Sequence, residues 1–218
     1  MKYLFTTIFS LLVSMGMLAQ SSFSKQETYN ILRRVADWQI ADFNAHQQHD
    51  DVDWTNAALY AGMADWAELS HQVDSYDTYY DWLLQIGRRN RFALGQNIYH
   101  ADYIAVGQSY FLYNHYKIPE ILWHMQARMD WIIKHPSEES MQLDESKPHT
   151  CDRWSWCDAL FMAPPVWAQM YQLTGDKKYI DFMNREYHAT YDLLFDKDEH
   201  LFYRDTRYFG KKEANGKK

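Results

Sequence analysis

The chain has 218 residues, 47% of them hydrophobic and 17% aromatic, and a formal charge of −7. That is enough apolar mass for one domain with a substantial core, or for part of a larger one, and it excludes a disordered chain. The acidic balance argues against nucleic acid as a partner, because phosphates demand a basic surface, and two cysteines are too few for a disulfide scaffold.

The first residues, M-K-Y-L-F-T-T-I-F-S-L-L-V-S-M-G-M-L-A-Q, combine a basic start at Lys2, an apolar stretch from Ile8 to Leu18, and small residues at Gly16 and Ala19. This pattern predicts a secretion signal over residues 1–19, and with it a secreted or periplasmic protein. The apolar part is short of the roughly 20 residues a spanning helix needs. Nothing later comes close, so no membrane span is expected once the signal is removed.

An amphipathic helix is predicted over about Ser24 to Phe43, followed by A-H-Q-Q-H-D-D-V-D. That stretch gathers His46, His49, Asp50, Asp51 and Asp53, but polar residues are expected between helices and no metal motif surrounds them. No metal is therefore assigned here. From Trp54 a helix apolar nearly all round is predicted, then an amphipathic one marked by Tyr79, Tyr80, Leu83 and Leu84. The alternation repeats: an apolar helix from Ala101, an amphipathic one with Ile121, Leu122, Met125, Met129, Ile132 and Ile133, an apolar one from Cys157, and an amphipathic one with Ile180, Met183, Tyr187 and Leu194.

Punctuation agrees with these divisions. Pro119 suits a first helical turn, Pro164-Pro165 should kink its helix, and Gly175-Asp176 reads as a C-terminal glycine followed by an N-cap. Cys151 and Cys157 form either one local bridge or free thiols; with His149 they fall short of a structural zinc set.

Seven helices of alternating character predict an all-α ring, an inner layer enclosed by an outer one. An open solenoid is the competing architecture. Near the starts of the apolar helices stand Trp54, then Tyr99, His100 and Asp102, then Trp154, Trp156 and Asp158, about fifty residues apart. In a ring these starts gather at one mouth. The plain reading of Asp102 and Asp158 is helix capping. The other reading is chemical, since a carboxylate walled by aromatic rings is desolvated and its pKa rises toward the range of a general acid. Serine-hydrolase, phosphate-loop and H-E-x-x-H signatures are absent. Paired acids among aromatics in an exported helical protein point toward sugar chemistry.

The stretches Y-H-A-D-Y-I-A-V-G-Q, W-S-W-C-D-A-L-F-M-A-P-P-V-W-A, T-G-D-K-K-Y-I-D and L-F-Y-R-D closely resemble the unsaturated rhamnogalacturonyl hydrolases of glycoside hydrolase family 105, related to the family 88 unsaturated glucuronyl hydrolases. The likeness runs from about Trp54 to Lys218. It implies an (α/α)6 barrel and a substrate carrying an unsaturated uronic acid at the non-reducing end, as in lyase-generated pectin fragments. It also implies a reaction in which an aspartate protonates C4 of the C4=C5 bond while water adds at C5, without metal or cofactor. By the same likeness Asp158 is the catalytic acid/base and Asp102 the second active-site aspartate. Trp156, Trp54 and His100 are then substrate-binding. Arg204 replaces a histidine common at that place and can pair with a uronate carboxylate. A twelve-helix ring needs on the order of 300 residues, so the chain reads as the first half to two thirds of such an enzyme, with apolar faces left exposed. A fragment that only binds sugar or a partner, and another sugar enzyme on the same barrel such as an isomerase or lyase, stay open.

Overall fold

The computed structural model describes residues 23–144, 146–147 and 152–211. The leader at 1–19, His149 and Cys151 lie outside them. The chain divides into two units at Gln47.

Among the described residues, the first unit contains one helix, α1 (Lys25–His46). It starts with a capping box: the Glu27 amide donates to Ser24 Oγ at 3.1 Å and the Ser24 amide donates to Glu27 Oε2 at 2.7 Å. Its buried residues, Tyr29, Ala36 and Phe43, recur every seven positions, which is the stripe of an amphipathic helix.

In the second unit α2 (Trp54–Asp74) and α3 (Thr78–Arg89) form a helical hairpin. Two 3₁₀ segments follow, Ala101–Tyr103 and Ala105–Leu112, the second running into the short α4 (Tyr113–Tyr116). Next come α5 (Glu120–Lys134), α6 (Ala159–Met162), α7 (Pro164–Thr174) and α8 (Lys177–Leu194). A small antiparallel hairpin follows, β1 (Phe195–Asp196) with β2 (Leu201–Phe202), Phe195 opposite Phe202, and a 3₁₀ turn at Thr206–Tyr208 ends the described order. The all-α class therefore stands, with three local corrections.

The apolar element from Ala101 is 3₁₀ rather than α. It lies at the centre, touching α2, α3, α4, α5 and α7. Its neighbours press so close that a Cβ on Gly107 would stand 2.8 Å from Val166 and 3.0 Å from the Met125 sulfur. The narrower 3₁₀ winding is the form found where that space is taken.

The apolar element from Cys157 is broken at Ala163 rather than kinked. Pro164 and Pro165 have no amide hydrogens, so the carbonyls at the end of α6 lose helical partners. Gln108 Nε2 supplies the replacement, donating to the Phe161 carbonyl at 2.9 Å and the Met162 carbonyl at 3.0 Å.

The third correction concerns burial. In α5 the buried stripe is Ile121, Met125, Met129 and Ile132, as the spacing predicts. In α8 the stripe sits one position off, on Tyr179, Phe182, Glu186, Thr190 and Leu194. A fully buried Glu186 takes its centre because Arg153 binds it with Nε at 2.9 Å and Nη2 at 3.4 Å. The apolar α2 is also less enclosed than expected, with Leu69 and Val73 exposed, and so is Phe161 in α6. These are exposed apolar faces of the kind expected for part of a ring.

Candidate functional site

Two helix starts meet at one pocket of about 270 Å³, lined by Val52, Asp53, Trp54, His100, Asp102 and Tyr103. Each wall has a local cause. Asp53 caps α2, accepting from the Thr55 amide at 2.9 Å and its hydroxyl at 2.6 Å, which sets Trp54 at the first helical position with its ring 45% exposed. The turn before Asp102 is locked by Asn97, whose side-chain oxygen accepts from the amides of Tyr99 (3.2 Å) and His100 (3.4 Å). Gly95 donates to the Tyr103 carbonyl at 2.8 Å, and a Cβ there would lie 2.4 Å from the Tyr103 ring, so only glycine fits that approach.

Neither aspartate spends its carboxylate on capping. The cap of the 101–103 turn is His100, whose Nδ1 accepts from the Asp102 amide at 3.2 Å. Asp158 occupies the N-cap position of α6 without a side-chain cap bond. The plain reading of both residues therefore fails, and both carboxylates remain available.

Their surroundings differ. Burial raises the Asp102 pKa from 3.8 to about 6, and the negative charges of Asp158 and Asp53 add to the rise. Asp158 is exposed. Burial lowers the His100 pKa, against the opposing charges of Asp152 and Asp158. An Nδ1 that accepts an amide hydrogen is unprotonated, so His100 is neutral with its proton on Nε2. Its 3.9 Å approach to Asp102 Oδ2 is accordingly not an ion pair.

The loop bearing Asp158 is fixed from behind. Arg153 holds Glu186, Thr190 Oγ1 donates to the Trp154 carbonyl at 2.6 Å, and the Cys157 amide donates to the Arg204 carbonyl at 2.9 Å. Trp154 is buried, a structural residue; Trp156 turns toward the pocket, its ring 5.0 Å from that of His100. The buried Trp156 Nε1–H has no hydrogen-bond partner among the described residues. Cys157 is half-buried and its thiol is pushed up, by burial first and then by Asp158.

Of the expected site residues, the pocket wall contains Trp54, His100 and Asp102. Trp156 packs on His100, and the charge of Asp158 is felt at both His100 and Asp102. Arg204 is not in the wall. Its exposed guanidinium stands 3.8 Å from Asp205, joined to the site through the Cys157 backbone. Sequence reasoning passed over Asp53 and Tyr103 as pocket residues; the available signal was that Asp53 immediately precedes Trp54. The His46–Asp53 stretch is structural elsewhere, since Asp51 binds Arg89 twice at 2.6 Å and Asn90 at 2.6 Å.

The chain is 31% identical over 204 residues to the unsaturated 3S-rhamnoglycuronyl hydrolase of Alteromonas sp. (strain LOR), covering 84% of this chain and 48% of that protein. It is 30% identical over 218 residues to the protein of the same name from Formosa agariphila, covering 94% and 55%. The chain thus spans about half the length of these curated relatives. Among solved structures it resembles a polysaccharide lyase (TM-score 0.70, 21% identity, covering 88% of this chain and 54% of that one). It also resembles a family 88 glycosyl hydrolase from Bacteroides vulgatus (0.64, 19%, 87% and 56%) and a family 105 glycoside hydrolase from C. acetobutylicum (0.55, 16%, 81% and 51%). These likenesses carry the fold, part of an α/α barrel. Residues 31–218 match the family described as Glycosyl Hydrolase Family 88, and the chain belongs to that family.

Proposed function

We propose that this protein removes an unsaturated uronic acid from the non-reducing end of an oligosaccharide in which that sugar is joined to rhamnose, as in rhamnogalacturonan fragments. Family membership and the names of the curated relatives support the substrate class. The observation that carries the chemistry is a pocket acid, Asp102, holding its proton to about pH 6 beside a second carboxylate, Asp158.

The proton held by the carboxylate pair passes through Asp158 to C4 of the C4=C5 bond as a water oxygen bonds to C5, and the proton released by that water returns to the pair. The net change is addition of one water. The hemiketal formed at C5 then opens and releases the neighbouring sugar. Asp102, protonated in the lower part of the working range, keeps two negative charges from facing each other and donates a hydrogen bond to the sugar. His100 offers its Nε2–H as a second neutral donor, while Trp54 and Trp156 take the ring faces, Trp156 adding its unpartnered indole N–H. Arg204 pairs with an anionic group of the substrate from outside the pocket wall. The leader-like first residues support an activity outside the cytoplasm.

The test follows ultraviolet absorbance of an unsaturated uronyl–rhamnose disaccharide, plain and 3-sulfated, since the conjugated double bond is the chromophore consumed. Loss of absorbance with the parent chain and none with Asp158→Asn is the expected result. If neither this chain nor a form extended to the length of its curated relatives consumes the chromophore, the proposal is wrong.

A further inference from the structure

A cluster of different chemistry lies where the α2–α3 turn meets α4. His71, in the last turn of α2, Asp77, just before α3, and His115, in α4, bring one ligand atom each to within 4.8 Å of the others. His71 Nδ1 is 2.7 Å and His115 Nε2 3.5 Å from the same oxygen, Asp77 Oδ1. None of the three lines the acid pocket.

Two features set this cluster apart from a chance surface contact. Asp77 stands at an N-cap position yet makes no cap bond, so its carboxylate faces the imidazoles instead of the helix it precedes. The rings are also held from outside. Tyr80 stacks on His115 at 4.2 Å with planes 9° apart, its hydroxyl donates to Glu68 Oε2 at 2.5 Å, and the His71 and His115 rings meet edge to face at 4.8 Å. A left-handed Ser75 (φ 54°) turns the chain so that His71 and Asp77 face each other.

We infer that His71, Asp77 and His115 form a site for a divalent transition-metal ion of the zinc type, which would pin α4 to the α2–α3 turn. Two imidazole nitrogens and one carboxylate oxygen are the donor set of zinc and its neighbours, not of calcium or magnesium. Metal–ligand bonds of about 2.0–2.2 Å place tetrahedral ligand atoms about 3.3 Å apart. The observed 2.7 and 3.5 Å bracket that value, and the third pair, within 4.8 Å, would have to shorten on binding. The half-exposed position leaves the fourth place to water. Tyr80 and Glu68 supply the outer shell that orients the His115 ring. The inference does not depend on the sugar chemistry.

The test uses the purified, chelator-treated chain without a histidine tag, titrated with cobalt chloride and then zinc chloride. The expected result is one cobalt ion per chain with the visible bands of low-coordinate cobalt, displaced by zinc. At zinc 100-fold above its dissociation constant the melting temperature should rise by about 5–10 °C, and calcium should give no rise. His115→Gln and the nearly isosteric Asp77→Asn should each weaken binding at least tenfold, while His46→Gln should not. Circular dichroism identical to the parent qualifies each variant, and Asp77→Asn decides alone if His115→Gln fails to fold. Absent bands, or binding equally strong in Asp77→Asn, would overturn the inference and leave the cluster a hydrogen-bonded brace.

Discussion

The turn that carries Asp102 lines the pocket, the loop that carries Asp158 adjoins it, and the two are held in different ways. The Asp102 turn is held mainly by short-range bonds, Asn97 to its own following amides and His100 to the Asp102 amide, with Asn97 also donating to Asp152 at 2.5 Å, and its carboxylate is half-buried. The Asp158 loop is held by distant residues, Glu186, Thr190 and Arg204, and its carboxylate is exposed. In both, the backbone is fixed by other groups and the carboxylate is left unspent. The difference lies in solvation. Desolvation raises the pKa of the half-buried acid while the other carboxylate lies open to water, which is how two like residues are given unlike surroundings.

The largest expected effect breaks the second arm. Glu186→Ala leaves Arg153 without its partner in a largely buried place, which should cost about 3–5 kcal/mol in urea unfolding. The chemical shifts of Trp156 should change most, with smaller changes in the Asp102 turn, which meets the loop through the Asn97–Asp152 bond.

Gly95→Ala strikes the other arm. Its methyl group must displace Tyr103, costing about 1–3 kcal/mol and narrowing the pocket, with a larger loss in substrate affinity than in turnover.

Asp102→Asn sharpens the contrast in solvation through pH. The folded-state pKa of Asp102 is raised from 3.8 to about 6, so between those values the folded form keeps a proton that the unfolded form has lost. Stability therefore falls as pH rises through that window and stays lower above it. Removing the carboxylate removes the fall, and at pH 8 the variant should be more stable than the parent by about 1–3 kcal/mol in parallel unfolding curves. Asp158→Asn should show no comparable gain. Smallest is Thr190→Val, which leaves the Trp154 carbonyl without its donor and should cost about 1 kcal/mol.

How much of this was legible in the sequence follows from the range of the interactions. The α5 stripe, the Gly175 C-cap with its left-handed φ of 70° and the Asp176 N-cap are set by neighbours within a few residues, and spacing read them correctly. The gathering of Trp54, His100 and Asp102 in one pocket wall was legible because helix starts recur at a regular interval. The register of α8 was not, because the partner that makes Glu186 a core residue lies 33 positions away. Proline chemistry announced the break at Ala163, but not that Gln108, more than fifty residues earlier, would take up the stranded carbonyls. His71, Asp77 and His115 show no local motif, since α4 returns to the α2–α3 turn only through the central 3₁₀ segment.

The most direct measurement is a carbon-13 NMR titration of the Asp102 side-chain carboxyl in the parent and in Asp158→Asn. The account predicts a midpoint near pH 6 in the parent, shifted downward in the variant as the neighbouring negative charge is removed. A parent midpoint at the ordinary carboxylate value, or one that ignores the substitution, would contradict the coupling of the two acids on which the proposed chemistry rests.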